Sequence, residues 1–455
     1  MVTRNTVLTA RTALALGVLA AAAVTVLAAS VGSVGTPPSF AHDIWPILEA
    51  RCVSCHQAGE IGPMPLTSYK QVRPWARAIR QSVMTRTMPP WHAASEANHS
   101  FRNDRSLSKA EIDLIGAWVD AGCPEGSPTP VFRPAAHDSG WKLGHPDIVI
   151  KVPGFPVPAS GQLQYSFLIT PLHLERDTWI RAAEFRIDQR SVIHHMNAFV
   201  RPPGSSFLAG FPVQEIFTPT VRERGKRREG EPFFDRRQLL LGYEPGYEPM
   251  PWLDSGAKLI KAGSDVVFEL HYNPNGKEVV DHTEFGLYFS PAHPKDRVLA
   301  IDTLRDLDLT IPPGEGDYVS SASMTLASSA RLLSIQPHMH LRGKRMEVRA
   351  IYPDGRSETL IRVPKYDFNW QTTYVFSQPI QLPAGTRLES TAAYDNSAGN
   401  AFNPNPGATV HWGDQTTDEM HIAFLELVID AAADPDALLK TAPKMIGQPV
   451  AGGAR

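Results

Sequence analysis

The stretch Gln336-Pro337-His338-Met339-His340-Leu341 concentrates residue types that bind metal. Apolar residues flank it, with Leu332, Leu333 and Ile335 before and Met346, Val348 and Ile351 after, so it reads as strand. Side chains at i and i+2 of a strand share a face. His338 and His340 then offer two imidazoles to one point. Met420, in Thr416-Thr417-Asp418-Glu419-Met420 just ahead of the apolar run Ile422 to Leu427, offers a third donor. A thioether is a soft ligand that suits Cu(I), and imidazole serves both copper oxidation states. Two histidines and a methionine with an open position describe an oxygen-activating copper site. Alone, the same residues also fit two solvated histidines and a core methionine.

Cys52-Val53-Ser54-Cys55-His56 has the spacing of covalent c-type haem attachment. The thiols of Cys52 and Cys55 add to the haem vinyl groups and His56 ligates the iron. A bare C-x-x-C is also a redox dithiol or half a zinc site, but the following histidine and the lack of a second cysteine pair argue against both. A second axial ligand must reach the other haem face from a loop. Met64 lies too close to His56 to cross, and Met84 falls at helical spacing from Ile79 and Arg80, as packing residues do. Met88, in Arg86-Thr87-Met88-Pro89-Pro90-Trp91 where prolines end a helix, is the choice, with His92 and His99 as alternatives. Met/His ligation raises the haem potential and suits electron transfer.

Three more histidines lie in strand-like context. His194 and His195 are adjacent in Ser191-Val192-Ile193-His194-His195-Met196-Asn197, and His271 ends the apolar run Phe268-Glu269-Leu270. Neighbouring side chains of a regular strand face opposite ways, so both His194 and His195 reach one metal only if the strand is irregular or they use different ring nitrogens. Three imidazoles without a soft ligand would hold copper through a redox cycle.

The elements that must position these residues follow from the rest of the chain. Its 455 residues suffice for two or three domains. Net charge is −3, which implies neither nucleic acid nor an anionic membrane surface as partner. Forty prolines and 33 glycines, without an amphipathic repeat, favour many short strands and turns. Residues 1–30 carry Arg4 and Arg11, an apolar run from Ala13 to Ala29 and small residues at Ala28-Ala29-Ser30, the order of an export signal or an uncleaved N-terminal membrane anchor. The mature chain is therefore expected outside the cytoplasm, periplasmic or otherwise extracytoplasmic.

Residues 36–126 read as a small all-α unit. Asp43 is expected to cap a first helix with Pro46 in its first turn, and Ser108-Lys109-Ala110-Glu111 is a capping box followed by Ile112, Ile115 and Val119 at helical spacing. Cys123 is expected to be an inert, partly buried thiol. Residues 127–145 read as a stiff proline-rich linker, 146–290 and 291–430 as two β units, and 431–455 as a flexible polar tail. Tyr272, Met196 and Met339 read as packing, His411 and His421 as surface or core residues with a supporting role at the site open to them, and 222–229 as a solvated mixed-charge loop.

Two resemblances join these pieces. The span from Asp43 to Gly126, with Asp-Ile-Trp-Pro-Ile-Leu, the C-x-x-C-H motif and Met-Pro-Pro-Trp, resembles small bacterial c-type cytochrome domains. His-His-Met, His-Tyr, His-Met-His-Leu-Arg-Gly-Lys and Asp-Glu-Met, in that order between Pro146 and Asp430, resemble the copper type II, ascorbate-dependent monooxygenases. That resemblance implies two β-sandwich (jelly-roll-like) copper domains with a solvent-filled cleft between them. It assigns His194, His195 and His271 to an electron-donating copper, and His338, His340 and Met420 to the copper that meets O2. The chain departs from the disulfide-rich animal enzymes in having no cysteine in the copper region.

The expected protein is thus multidomain, a cytochrome c domain followed by two copper sandwiches, with two copper ions and one covalent haem c. Its expected activity is hydroxylation of a C–H bond in a small molecule or peptide with O2, using electrons from an ascorbate-like reductant or redox protein through the haem. The competing reading is a haem and copper electron-transfer or copper-binding protein without oxygenase activity.

Overall fold

The computed structural model describes residues 36–94, 99–128, 140–219, 238–413 and 415–440. The expected export segment, the mixed-charge loop and most of the linker lie outside these residues, as do residues 441–455. Among the described residues no helix is long and apolar enough to cross a membrane.

Strands dominate, and their sequence patterns explain their places. In Tyr318–Leu326, Ser320, Ala322, Met324 and Leu326 are buried while Val319 and the residues alternating with it turn outward. That period of two marks a strand with one covered face. Asp296–Arg305 and Ile422–Asp430 bury consecutive residues instead and lie side by side in the middle of a sheet. That eight-stranded sheet runs Ile148–Lys151, Glu284–Phe289, Thr178–Arg186, Gly256–Ile260, Asp296–Arg305, Ile422–Asp430, Ala330–His338, Tyr374–Leu382. Its first four strands come from before residue 290 and its last four from after it. The halves join through a short parallel pairing, Asp296 opposite Gly256 and Arg297 opposite Ala257.

A five-stranded sheet covers each half. One runs Ile216–Phe217, Ser166–Pro171, Asp265–Tyr272, Ile193–Arg201, Gln238–Tyr243; the other runs Ser357–Val363, Gly343–Ile351, Arg387–Tyr394, Tyr318–Leu326, Leu439–Lys440. The first core packs Phe185 on Phe285 (ring centroids 4.7 Å apart) and Phe268 on Phe285 (5.3 Å). Each fully buried ring of this kind contributes about 1.5–3 kcal/mol. Leu333 and Val428, from the second half, belong to this first core, so the halves share apolar packing as well as backbone pairing.

The N-terminal residues are helical: Trp45–Arg51, Tyr69–Val72, Ala76–Met84 and Lys109–Asp120 pack around Phe40, Leu48 and Trp118. The capping box at Ser108 and Glu111 forms, and Ile115 and Trp118 are the residues its helix buries. Three local expectations are corrected. Ser39, not Asp43, caps the first helical turns; the Asp43 carboxylate lies one turn inside and accepts from the Ser39 backbone N–H at 2.7 Å. Met84 is 57% exposed, because its helix turns Ile79 and Val83 inward instead. The tail is ordered through Lys440, with Leu438 buried and Leu439 paired to Leu326. Cys123 is 9% exposed and the Tyr69 hydroxyl donates to its carbonyl at 2.7 Å.

The helical span is interrupted. Residues 91–94 and 99–103 leave the helices and lie along the second β unit. Phe101 bridges Phe376, the Ser377 N–H donates to Ser100 O at 2.8 Å, and Trp91 packs edge-on against Tyr374 at 4.8 Å. The helices are also tied to the first β unit, where Arg105 Nη2 donates to Gly246 O at 2.8 Å and Arg190 Nε lies 3.5 Å from Glu60. The end of the linker docks too: the backbone N–H groups of Lys142 and Leu143 donate to the Glu184 carboxylate at 2.8 and 3.1 Å.

Candidate functional site

His194 and His195 sit on the strand Ile193–Arg201, beside the strand that ends at His271 and Tyr272. Ile193 pairs with Tyr272 and His195 with His271, so His194 is the extra residue of a bulge. A bulge lets two successive side chains face one side. One ligand nitrogen from each of His194, His195 and His271 lies within 4.8 Å of the others. The Nδ1 atoms of His194 and His195 face each other at 3.0 Å. His271 Nδ1 is buried without a hydrogen-bond partner among the described residues. A buried, unpartnered imidazole nitrogen beside two others is what a metal would satisfy.

Burial pushes the His194 imidazole down to about 3, with His195 adding to the effect. Burial, then His195 and His194, push His271 to about 3. Both rings are therefore neutral at ordinary pH, the state that ligates metal. Glu269 Oε1 lies 3.7 Å from His195 Nε2, behind the ring, in the place of the carboxylates that orient metal-binding histidines. Tyr165 stacks on His271 with centroids 4.3 Å apart.

His338 ends the strand Ala330–His338, and His340 follows two residues later. Their rings stand 5.2 Å apart and perpendicular. His338 Nδ1 lies 2.6 Å from Gln371 Oε1 and His340 Nδ1 lies 3.2 Å from the Asp418 carbonyl. In neutral rings each Nδ1–H donates there and the lone pair is left on Nε2. Burial holds His338 near about 4 and His340 near about 3.

The Glu419 carboxylate accepts from the backbone N–H groups of His340 (2.8 Å) and Arg342 (2.6 Å), pinning the loop that carries His340 beside Met420. The Tyr394 hydroxyl donates to Met420 O at 2.9 Å. His421, next to Met420, is fully buried between Ser320 Oγ and Ser390 Oγ at 2.7 and 2.8 Å, whereas His411 is exposed. Met196 and Met339 are fully buried packing residues, and Tyr272, 1% exposed, adds a bond to Asp281.

The Cys52 to His56 turn follows the helix Trp45–Arg51, and His56 N donates to Cys52 O at 2.9 Å. His56 Nδ1 lies 3.1 Å from Met64 O, which orients the ring and leaves Nε2 for a ligand. Gly62 lies against that ring; a Cβ there would stand 2.8 Å from His56 Nδ1. Burial, then the neighbouring Cys55, push the Cys52 thiol up to about 12. Met88 is half-buried. His92 and His99 are held by the second β unit: His99 pairs with Glu358 at 2.8 Å and packs on Phe376.

One cavity of about 3480 Å³ is lined by Cys52, Cys55, His56 and Met88 together with His194, His195, His338, His340 and Met420. Sequence reasoning missed three residues of this site. Tyr165 precedes the strand Ser166–Pro171 and carries no metal-binding atom pattern, and Phe368 and Gln371 lie in a loop and are not themselves metal-binding residue types. The Phe368 ring lies 5.7 Å from that of His194 and 5.9 Å from that of His340.

Residues 300–429 match the family model described as copper type II ascorbate-dependent monooxygenase, C-terminal domain. The chain is also similar to MOXD1 homolog 1 of Drosophila melanogaster, 23% identical over 171 residues, which cover 35% of this chain and 23% of that protein. The chain thus spans about a quarter of the length of the curated relative it matches. Solved structures similar to it include the infectious bursal disease virus VP2 subviral particle (12% identity, TM-score 0.19, covering 61% of this chain and 58% of that one). Allantoicase is another (8% identity, TM-score 0.14, covering 53% and 81%). Likenesses at such scores carry no argument.

Proposed function

We propose that the chain is an exported dicopper monooxygenase that hydroxylates a C–H bond of a small molecule or peptide with O2, and that its electrons arrive through the fused c-type haem. The observation that carries this reading is the shared cavity, lined by Cys52, Cys55 and His56, by His194 and His195, and by His338, His340 and Met420. The match of residues 300–429 supports the copper-dependent monooxygenase part.

Hydroxylation balances as RH + O2 + 2 e⁻ + 2 H⁺ → ROH + H2O. When bound, the coppers and the haem supply electron storage, electron relay and O2 activation. The donor sets suit them: three imidazoles at one site, and two imidazoles with the soft Met420 sulfur at the other. Cys52, Cys55, His56 and Met88 would hold the haem.

The chain's own residues do the positioning. Gln371 and the Asp418 carbonyl fix the tautomers of His338 and His340, so that each presents Nε2. Glu419 holds the backbone on either side of Leu341. Glu269 backs His195. Phe424, edge-on to His338 at 5.6 Å, gives the wall there an apolar face that excludes water from a substrate carbon.

The test supplies copper-loaded, reduced protein with ¹⁸O2 and candidate substrates and follows both haem absorbance and product mass. One labelled oxygen in the product, with haem oxidation in step, is the expected result. Haem oxidation that proceeds without labelled product across the substrate panel, and equally fast in Met420→Ala, would make the chain an electron carrier.

A further inference from the structure

One loop of the second β unit touches residues of both candidate copper sites. The Tyr366 hydroxyl donates to Met339 O at 2.7 Å and accepts from Met339 N–H at 3.1 Å, gripping the residue between His338 and His340. The Phe368 ring stacks on His194 of the first set, with centroids 5.7 Å apart, and stands edge-on to His340 of the second at 5.9 Å. Gln371 folds back onto the same loop, its Nε2 donating to Phe368 O at 3.2 Å while its Oε1 faces His338 Nδ1 at 2.6 Å. Gln336 Nε2 donates to Gln371 O at 2.8 Å and ties the loop to the strand that ends at His338. The Met339, His338 and Gln336 contacts fasten the loop to the second site, and the ring carries that hold across to the first.

From this geometry we propose that the loop Tyr366–Gln371 sets the separation of the two metal sites, with Phe368 as the spacer between them. The proposal rests on the copper reading for what occupies the sites, but the packing it describes belongs to the protein alone. An aromatic ring is a rigid spacer of fixed thickness, whereas an aliphatic side chain adjusts its rotamers to the space it is given. The two histidine sets come from different β units. The lateral contact through Phe368 is therefore where small changes in the fit of the units pass directly into the distance between the metals. Displacements of order 1 Å at such places can cost about 10²-fold in rate. Phe368 acts through His194 and His340 and is a positioning residue.

The experiment has two arms on the full chain. In the first, pulsed dipolar EPR of protein loaded with Cu(II) at both sites gives the copper-to-copper distance distribution. Phe368→Tyr keeps the ring and is expected to match the wild type. Phe368→Leu removes it and is expected to retain both coppers while the distribution broadens and its mean shifts. Gln371→Leu keeps the ring but frees the loop from His338, and is expected to broaden the distribution too. Distributions unchanged in both Leu variants overturn the proposal, and an unchanged distribution in Gln371→Leu alone overturns the loop as spacer even if Phe368→Leu does not fold.

The second arm uses metal-free protein, so its outcome stands whether or not the copper reading does. Phe368→Leu should shift the imidazole NMR resonances of both His194 and His340 and leave those of His56 in place. A shift at only one of the two histidines would mean that Phe368 packs on a single site and spaces nothing.

Discussion

Lys258 Nζ lies 2.8 Å from Glu426 Oε1, and this pair, with Lys258 buried and Glu426 half-buried, joins a strand of the first β unit to one of the second, close to where the two share their sheet. Lys258 also donates to the carbonyls of Leu239 (3.1 Å) and Leu240 (2.9 Å), and its ammonium lies 4.5 Å from the centre of the Trp252 ring. Ser334 Oγ donates to the other Glu426 oxygen at 2.9 Å. The polar groups of the pair are thus satisfied on both sides of the junction.

Lys258→Met leaves the half-buried Glu426 without its cation and should cost about 2–4 kcal/mol, somewhat less than the removal of one partner from a fully buried ion pair. Denaturant unfolding measures it. Lys258→Met with Glu426→Leu should recover much of the loss, because neither charge is then stranded. A single-variant cost below about 1 kcal/mol, the range of surface pairs, would show that the junction is held by packing alone.

Copper titration reads the two ligand sets separately. His271→Ala or His194→Ala should lower the copper stoichiometry by about one and spare CO binding at the other Cu(I), since each site depends on its own complete ligand set. A chain that takes zinc at both sites with no preference for copper contradicts the donor-set argument.

Haem attachment is checked without turnover. The chromophore should survive acid-acetone extraction in the native sequence and be lost in Cys52→Ala with Cys55→Ala. Met88→Ala should abolish the low-spin His/Met spectrum, and loss of that spectrum in Met64→Ala instead would move the axial ligand to Met64.

Stability should respond to pH through Glu244. Burial pushes its carboxyl up to about 8, against the opposing pull of the Gln336 amide and Arg105. A carboxyl with a raised folded-state pKa holds more protons folded than unfolded, so stability falls as pH rises from about 4.5 to about 8. Burial moves Glu419 the same way, to about 7. His194, His271 and His340 at about 3 and His338 at about 4 act in the opposite sense. Their window, where the unfolded chain holds more protons, ends near about 6.5, so stability rises with pH only below it. Unfolding free energy should therefore fall between about pH 7 and 8.5 in the wild type and stay flatter in Glu244→Gln. Equal slopes would mean that Glu244 is ionised throughout.

The sequence was most informative where chemistry is contiguous. His338-Met339-His340 and Cys52 to His56 carry their spacing with them, and the irregular strand required by His194 and His195 is present as a bulge. What the sequence hid depends on distant residues of ordinary type. Lys258 and Glu426 are 168 positions apart, and Gln371 meets His338 from 33 positions along the chain. Nothing in Asp367-Phe368-Asn369-Trp370-Gln371 distinguishes it from a surface turn until the fold lays it against His194, His338 and His340. Met84 misled because helical spacing identifies a face without saying whether that face is covered.

The contacts of residues 91–94 and 99–103 make the helical region hard to remove. Trp91 and Phe101 lie on Tyr374 and Phe376, and Ser100 pairs with the outermost strand of the eight-stranded sheet. A shortened protein beginning at residue 146 would leave those two rings bare along an unpaired strand, an invitation to stick to its own copies. Anyone wishing to study the copper half in isolation should keep residues 91–103, or replace Tyr374 and Phe376 with polar residues.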